Sequence, residues 1–174
     1  MINVNDQYDY TGKQIKPTPI VQFGSQVLEE GEDYTIEYGN NVDVGTNSGS
    51  IVIRQVSGTD TYYTGSKTAR FNIYYNLSKA TVTGLNDTYS YTGSEVKPIP
   101  QVTCAGKVLQ EGVDYSLTYT NNIDAGTASV VINSIDGASI GNQVVNFEIK
   151  GINLADPGMN ITLDGQLSGL TTTY

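Results

Sequence analysis

The feature that most restricts the fold of this 174-residue chain is that it repeats itself. Residues 8–46 align without a gap on residues 89–127, and 20 of the 39 positions are identical. The shared skeleton runs Tyr8, Tyr10-Thr11-Gly12, Lys16-Pro17, Pro19, Val21, Val27-Leu28, Glu30-Gly31, Asp33-Tyr34, Tyr38, Asn40-Asn41, Asp43 and Gly45-Thr46. It returns as Tyr89, Tyr91-Thr92-Gly93, Lys97-Pro98, Pro100, Val102, Val108-Leu109, Glu111-Gly112, Asp114-Tyr115, Tyr119, Asn121-Asn122, Asp124 and Gly126-Thr127. Further on the offset shortens: Ile51-Val52-Ile53 matches Val130-Val131-Ile132, and Phe71-Asn72-Ile73 matches Phe147-Glu148-Ile149. Asn76-Leu77 then recurs as Asn153-Leu154, which starts a third copy. A length of 174 residues is about right for two of the shorter β-domains placed end to end. The predicted organisation is therefore module 1–75, module 76–151 and a partial third repeat or terminal strand segment over 152–174.

Inside each copy the hydrophobic period is two. Asp33 to Tyr38, Ser50 to Val56 and Ala69 to Tyr74 alternate polar with apolar, the pattern of half-buried strands. Thr-Gly, Glu-Gly, Asn-Asn and Ser-Gly pairs between them supply turns. No stretch combines an N-cap with helical periodicity. Short strands with a turn every 8–12 residues or so predict an all-β fold of two tandem immunoglobulin-like β-sandwich modules plus the start of a third, with a barrel as the other architecture. Pro17, Pro19, Pro98 and Pro100 cannot donate to a central ladder and belong at edges. The junction around Tyr74-Tyr75-Asn76-Leu77 lacks the Gly and Ser of a flexible linker, so a stiff link is expected.

Composition narrows the function. The absence of His excludes Ser-His-Asp and Cys-His catalysis and His-ligated zinc. A net charge of −9 opposes binding to nucleic acid and anionic membrane surfaces. Cys104 is the lone cysteine, so no intrachain disulfide forms, and its alignment with Phe23 marks it as a small core hydrophobe. No apolar run approaches the about 18 residues of a membrane span, and the N-terminus does not read as a signal peptide, so an exported protein would be represented here by a fragment without its leader.

The succession Tyr-Thr-Gly, Lys-Pro-x-Pro, Glu-Gly-x-Asp-Tyr, Tyr-x-Asn-Asn-x-Asp-x-Gly-Thr and Phe-x-Ile resembles the bacterial immunoglobulin-like repeats of the MBG/YDG type. The resemblance covers residues 1 to about 151 as two whole copies. It implies an extracellular location on a bacterial cell surface, and a structural spacer or adhesin segment with no catalytic residues and no cofactor. Neighbouring repeats of the same polypeptide, and surface glycans or proteins of host or bacterium, are the partners it implies. Two other readings stand beside it: a carbohydrate- or protein-binding accessory module of a secreted enzyme, and an immunoglobulin-like component of a phage virion or filament.

Several residues invite sharper readings. Tyr34, Tyr38, Tyr115 and Tyr119 recur in both copies and suit core or corner packing, with a ring inside and a hydroxyl on a loop backbone. Tyr62 and Tyr63, which the second copy replaces, and Tyr74 and Tyr75 at the junction are the candidates for a binding surface. The Asn-Asn-x-Asp loops offer calcium too few carboxylates and read better as turns closed by Asn and Asp side chains on local amides. Lys16 and Lys97 recur without a recurring Asn partner for an isopeptide crosslink, and Glu29-Glu30-Gly31-Glu32 reads as a solvated acidic turn. In the tail, Asn160 to Leu163 alternates like a strand between turn signals and is expected to pair with an edge of the second module, or with a neighbouring chain.

Overall fold

The computed structural model describes residues 1–57 and 62–153. The segment 152–174 lies beyond these from residue 154 onward, so the strand expected at 160–163 and its pairing fall outside the described residues. Strands in the first half are β1 (Ile2–Asn3), β2 (Gln7–Asp9), β3 (Ile20–Phe23), β4 (Gln26–Val27), β5 (Tyr34–Tyr38), β6 (Gly45–Gln55) and β7 (Ser66–Asn76). The second half carries β8 (Thr81–Thr83), β9 (Thr88–Ser90), β10 (Gln101–Cys104), β11 (Lys107–Val108), β12 (Tyr115–Thr120), β13 (Gly126–Ser134), β14 (Ser139–Ile140) and β15 (Asn142–Lys150). Among the described residues the only helical piece is a 3-10 turn, Leu77–Lys79. The fold is an all-β sandwich.

The strand pairing of the first half recurs in the second. A small sheet pairs β1, β3 and β4 in that order, and its counterpart pairs β8, β10 and β11. A larger sheet runs β5-β6-β7 with β2 beside β7, and its counterpart runs β12-β13-β15-β9. The hairpin ladders are antiparallel, whereas β2 lies parallel to β7 and β9 parallel to β15.

Alternation accounts for the layers. Ile51 and Ile53 of β6 and Phe71 and Ile73 of β7 are buried, and close a core with Val21 and Tyr34. Ala128, Val130, Phe147 and Ile149 do the same in the second half. Each buried aliphatic side chain contributes about 1.5–3 kcal/mol of transfer free energy. Where β6 departs from its counterpart, sequence and packing explain it. Residues between Gly45 and Gly49 form a bulge absent from β13, held by the Asn72 side-chain oxygen on the Asn47 amide (2.8 Å). The Phe71 ring then lies over Gly49, where a Cβ would sit 2.1 Å from it. In β13 the position opposite Phe147 is Ala128, since the straighter strand leaves room for a methyl.

A third cluster belongs to both halves. Tyr75 and Leu77, from the segment joining them, are buried with Ala80, Val102, Cys104, Leu109, Tyr115 and Ile132, and Tyr10 and Val44 pack against the group. The sequence boundary at 75/76 thus falls inside β7, whose last two residues pair with β14.

Candidate functional site

The most elaborated part of the molecule is this joint. β2 takes up one edge of β7 along Asn72, Ile73 and Tyr74. β14 continues along the same edge at Tyr75 and Asn76, also parallel. One strand therefore belongs to the sheet of the first half and, two residues later, holds a strand of the second. Tyr75 donates its amide to Ala138 O (3.1 Å), and its ring meets Tyr10 edge-on at 4.9 Å. Ser139, buried beside it, accepts the Ile135 amide and donates its hydroxyl to Asp114 O (2.6 Å). The turn after β14 closes on Gly141, whose φ is +72°; a Cβ there would stand 2.5 Å from the Ser78 hydroxyl.

Polar groups latch the outside of the joint. Asp9 of β2 accepts from Lys79 (2.7 Å) and from the Asn76 amide (3.0 Å). Burial alone would raise the Asp9 carboxyl, but the bonds from Lys79 and Asn76 and the Lys79 charge hold it below the usual carboxylate value. Cys104 lies underneath, its Sγ 3.6 Å from Asn76 O. Burial first, then the charges of Asp9 and Asp114, push its thiol above the ordinary value, so it persists as a neutral core group.

A second set of contacts recurs in both halves and holds each loop framework. Asn41 donates from its side chain to Ile15 O (3.0 Å), its own carbonyl accepts the Ile15 amide (3.0 Å), and its side-chain oxygen accepts the Ser50 amide (2.7 Å). Asn122 reproduces the first two bonds with Val96. These loops were expected to close on local amides. Only Asn40 to Asp43 (3.1 Å) does so; the buried asparagines reach 26 residues along the chain instead. Their amides are committed to backbone groups, and no cluster of three or more acidic, His or Cys side chains suited to a metal occurs among the described residues. Asp33 and Asp114 instead cap turns, accepting the amides of Glu29 and Gln110. Tyr38 and Tyr119 donate their hydroxyls to Pro17 O (3.2 Å) and Pro98 O (2.9 Å). Burial raises the pKa of both, aided by Glu30 at Tyr38 and by Glu111 at Tyr119, which keeps these donors protonated.

The four tyrosines singled out in the sequence do not form one surface. Tyr62 and Tyr63 precede β7 and Tyr74 and Tyr75 close it, at opposite ends of an 11-residue strand. Tyr74 places its hydroxyl 3.2 Å from that of Thr46. Tyr75, only 7% exposed, is a joint residue. At the other end Tyr62 is 96% exposed, and Tyr63 meets Phe23 edge-on at 6.0 Å. Phe23, which sequence reasoning passed over, is 69% exposed although its aligned partner Cys104 is buried. The difference is the cover: the joint roofs Cys104, and nothing in the chain's described residues roofs Phe23. Phe23, Tyr63, Met1, Ile2, Leu28 and Tyr34 line a groove there. Lys16 and Lys97 are not poised for a crosslink, since Lys16 lies 5.8 Å over the Tyr38 ring and Lys97 pairs with Glu95 (2.6 Å).

Compared with protein-family models, with curated proteins and with solved structures, the chain matches none.

Proposed function

We propose that this chain is a non-enzymatic spacer or adhesive segment of a bacterial surface protein, built from modules at 1–75 and 76–151 and the opening of a third, and that it acts by length and stiffness. The observation that carries the reading is the joint, where β7 pairs with β2 and β14 in succession and Tyr75 and Leu77 are buried across the boundary. A link made of ordered strand, buried aromatic contact and a charged latch resists bending, whereas a linker meant to let modules swing is poor in such contacts. The chain's internal repetition and its lack of His support a mechanical role over a chemical one.

Small-angle scattering tests it. The chain at low concentration should give a narrow distance distribution that one fixed arrangement of the two halves reproduces. Tyr75→Gly combined with Asp9→Ala should broaden that distribution while circular dichroism still reports folded sheets. A parent chain whose scattering already demands a wide ensemble would remove the basis for the proposal. Protease shaving of intact cells, followed by peptide detection, reads the surface location separately.

A further inference from the structure

The joint has two faces, and each has a counterpart elsewhere on the chain that no described residue covers. On the receiving face, Arg54 pairs with Ser66 just as Asn133 pairs with Asn142, so Tyr63, Thr64 and Gly65 occupy the places of Ser139, Ile140 and Gly141. Tyr63 and Thr64 are thus the equivalents of β14, but no strand among the described residues pairs with them. At Gly141 the space for a Cβ is filled by Ser78 of the link, while at Gly65 nothing lies within 4 Å. Phe23 stands where Cys104 stands and is bare. On the inserting face, Tyr91 and Ala125 correspond to Tyr10 and Val44, which pack into the joint. The bonds Tyr10 N to Tyr74 O and Tyr91 N to Lys150 O, both 2.8 Å, fix Lys150 as the equivalent of Tyr74. By this register Gly151 and Ile152 match Tyr75 and Asn76, the two residues that hold β14; the sequence match of Asn76 with Asn153 falls one residue later because the second copy carries an extra residue after Lys150. β7 runs through Asn76, but β15 stops at Lys150 and Ile152 is 58% exposed.

We infer that a second copy of this chain occupies the aromatic groove at Phe23 and Tyr63, inserting its Gly151–Ile152 end in parallel along Tyr63 and Thr64, so that copies join head to tail with the geometry of the internal joint. This goes beyond the spacer reading, which needs no contact between chains. The contact is heterologous, so it propagates and does not close into a symmetric dimer. Asp9 corresponds to Ser90, so the contact between copies lacks the carboxylate of the ionic latch. Without a connecting peptide it also lacks the roughly millimolar effective concentration that a short link provides. Association is accordingly expected only at high protein concentration, and it should strengthen with salt, because two copies each carrying −9 repel one another.

The register gives the test. Ile140 pairs with Asn76 in the joint, so Thr64 should face Ile152 of the next copy. Neighbouring strands lie about 5 Å apart, within reach of a disulfide. The chain carrying Thr64→Cys and Ile152→Cys should oxidise to a ladder of covalent multimers at least about fivefold faster than one carrying Val144→Cys and Ile152→Cys, the odds of a matched over an unmatched encounter. In sedimentation the parent should grow with concentration. Phe23→Asp and Ile152→Asp, both at exposed positions, should each stay monomeric and folded, while their equimolar mixture stops at dimers, because one good face of each remains. A parent that stays monomeric throughout, a mixture that does not dimerise, or a ladder no faster than the control overturns the inference. So does a glycan array on which binding is lost with Phe23→Asp, since the groove would then belong to a sugar. Scattering from the dilute monomer still judges the spacer reading whichever way these results fall.

Discussion

Replacing Asn41 by Ala should destabilise the first half out of proportion to the size of the change. The side chain is 1% exposed and makes two hydrogen bonds, to Ile15 O and from the Ser50 amide. Truncation leaves both backbone groups without that partner inside the protein, at about 1–1.5 kcal/mol each, and a small cavity brings the cost to roughly 3 kcal/mol. A module of this length has a total stability of about 4–11 kcal/mol, so the loss is a large fraction, equivalent to roughly 12–24 °C in melting temperature. Asn41→Asp separates the two bonds. The carboxylate still accepts from Ser50 but cannot donate to Ile15 O, whereas the protonated acid can do both. Its folded-state pKa must therefore be raised above the unfolded value, so the penalty is full at neutral pH and shrinks as pH falls through the folded pKa. Urea unfolding followed by circular dichroism at pH 7 and at about pH 4.5 measures all three proteins. An Asn41→Ala cost below about 0.5 kcal/mol at unchanged m, or an Asn41→Asp penalty independent of pH, would falsify the assignment of these bonds as a structural bracket.

Further outcomes follow from the joint and the cores. Asp9 has a lowered pKa, so its stabilisation is full above about pH 4 and is lost as pH falls through its folded value; Asp9→Asn should flatten that acid limb by no more than about 1 kcal/mol, because Lys79 is largely exposed, as an acid titration of unfolding would show. Cys104 should react with a thiol reagent at pH 8 far more slowly than a free cysteine and become fully reactive only in denaturant, since burial and the nearby carboxylates raise its pKa. Gly49→Ala should cost about 2 kcal/mol or more through the clash with Phe71, while Ala128→Gly in the matching place should cost only about 1 kcal/mol; thermal melts of the two variants compare them directly.

Most of the strand framework was legible from alternation. The runs at 33–38, 50–56 and 69–74 became Tyr34–Tyr38, Gly45–Gln55 and Ser66–Asn76, the last two longer because ladder pairing extends past the residues that alternate. The pairing roles of Tyr38 and Tyr119 were legible too, because a ring at a buried position brings its hydroxyl to a nearby loop. The buried asparagines were not. An Asn-Asn-x-Asp string looks the same whether its amides bond neighbours or a loop segment 26 residues away, and only tertiary placement decides. β14 escaped for a related reason: Ser139–Ile140 is two residues long, and its partner lies in the other copy, so no local pattern announces it. Phe23 shows the limit of aligning copies. Alignment equates it with Cys104, yet what covers a position at the end of a repeat depends on the neighbour and not on the repeat.

The parallel placement of β2 on β7 and of β9 on β15 bears on how such a chain meets tension. In each pair the strand near the start of a copy and the strand at its end lie side by side and point the same way. Drawing the two ends of a copy apart slides one strand along the other, so the bonds between them are loaded together instead of opening one after another like a zip. The joint continues this arrangement, because Tyr75 and Asn76 pass the load from β7 to β14 through another parallel contact. A pull along the chain thus meets shear-loaded ladders in each copy and at the seam between them.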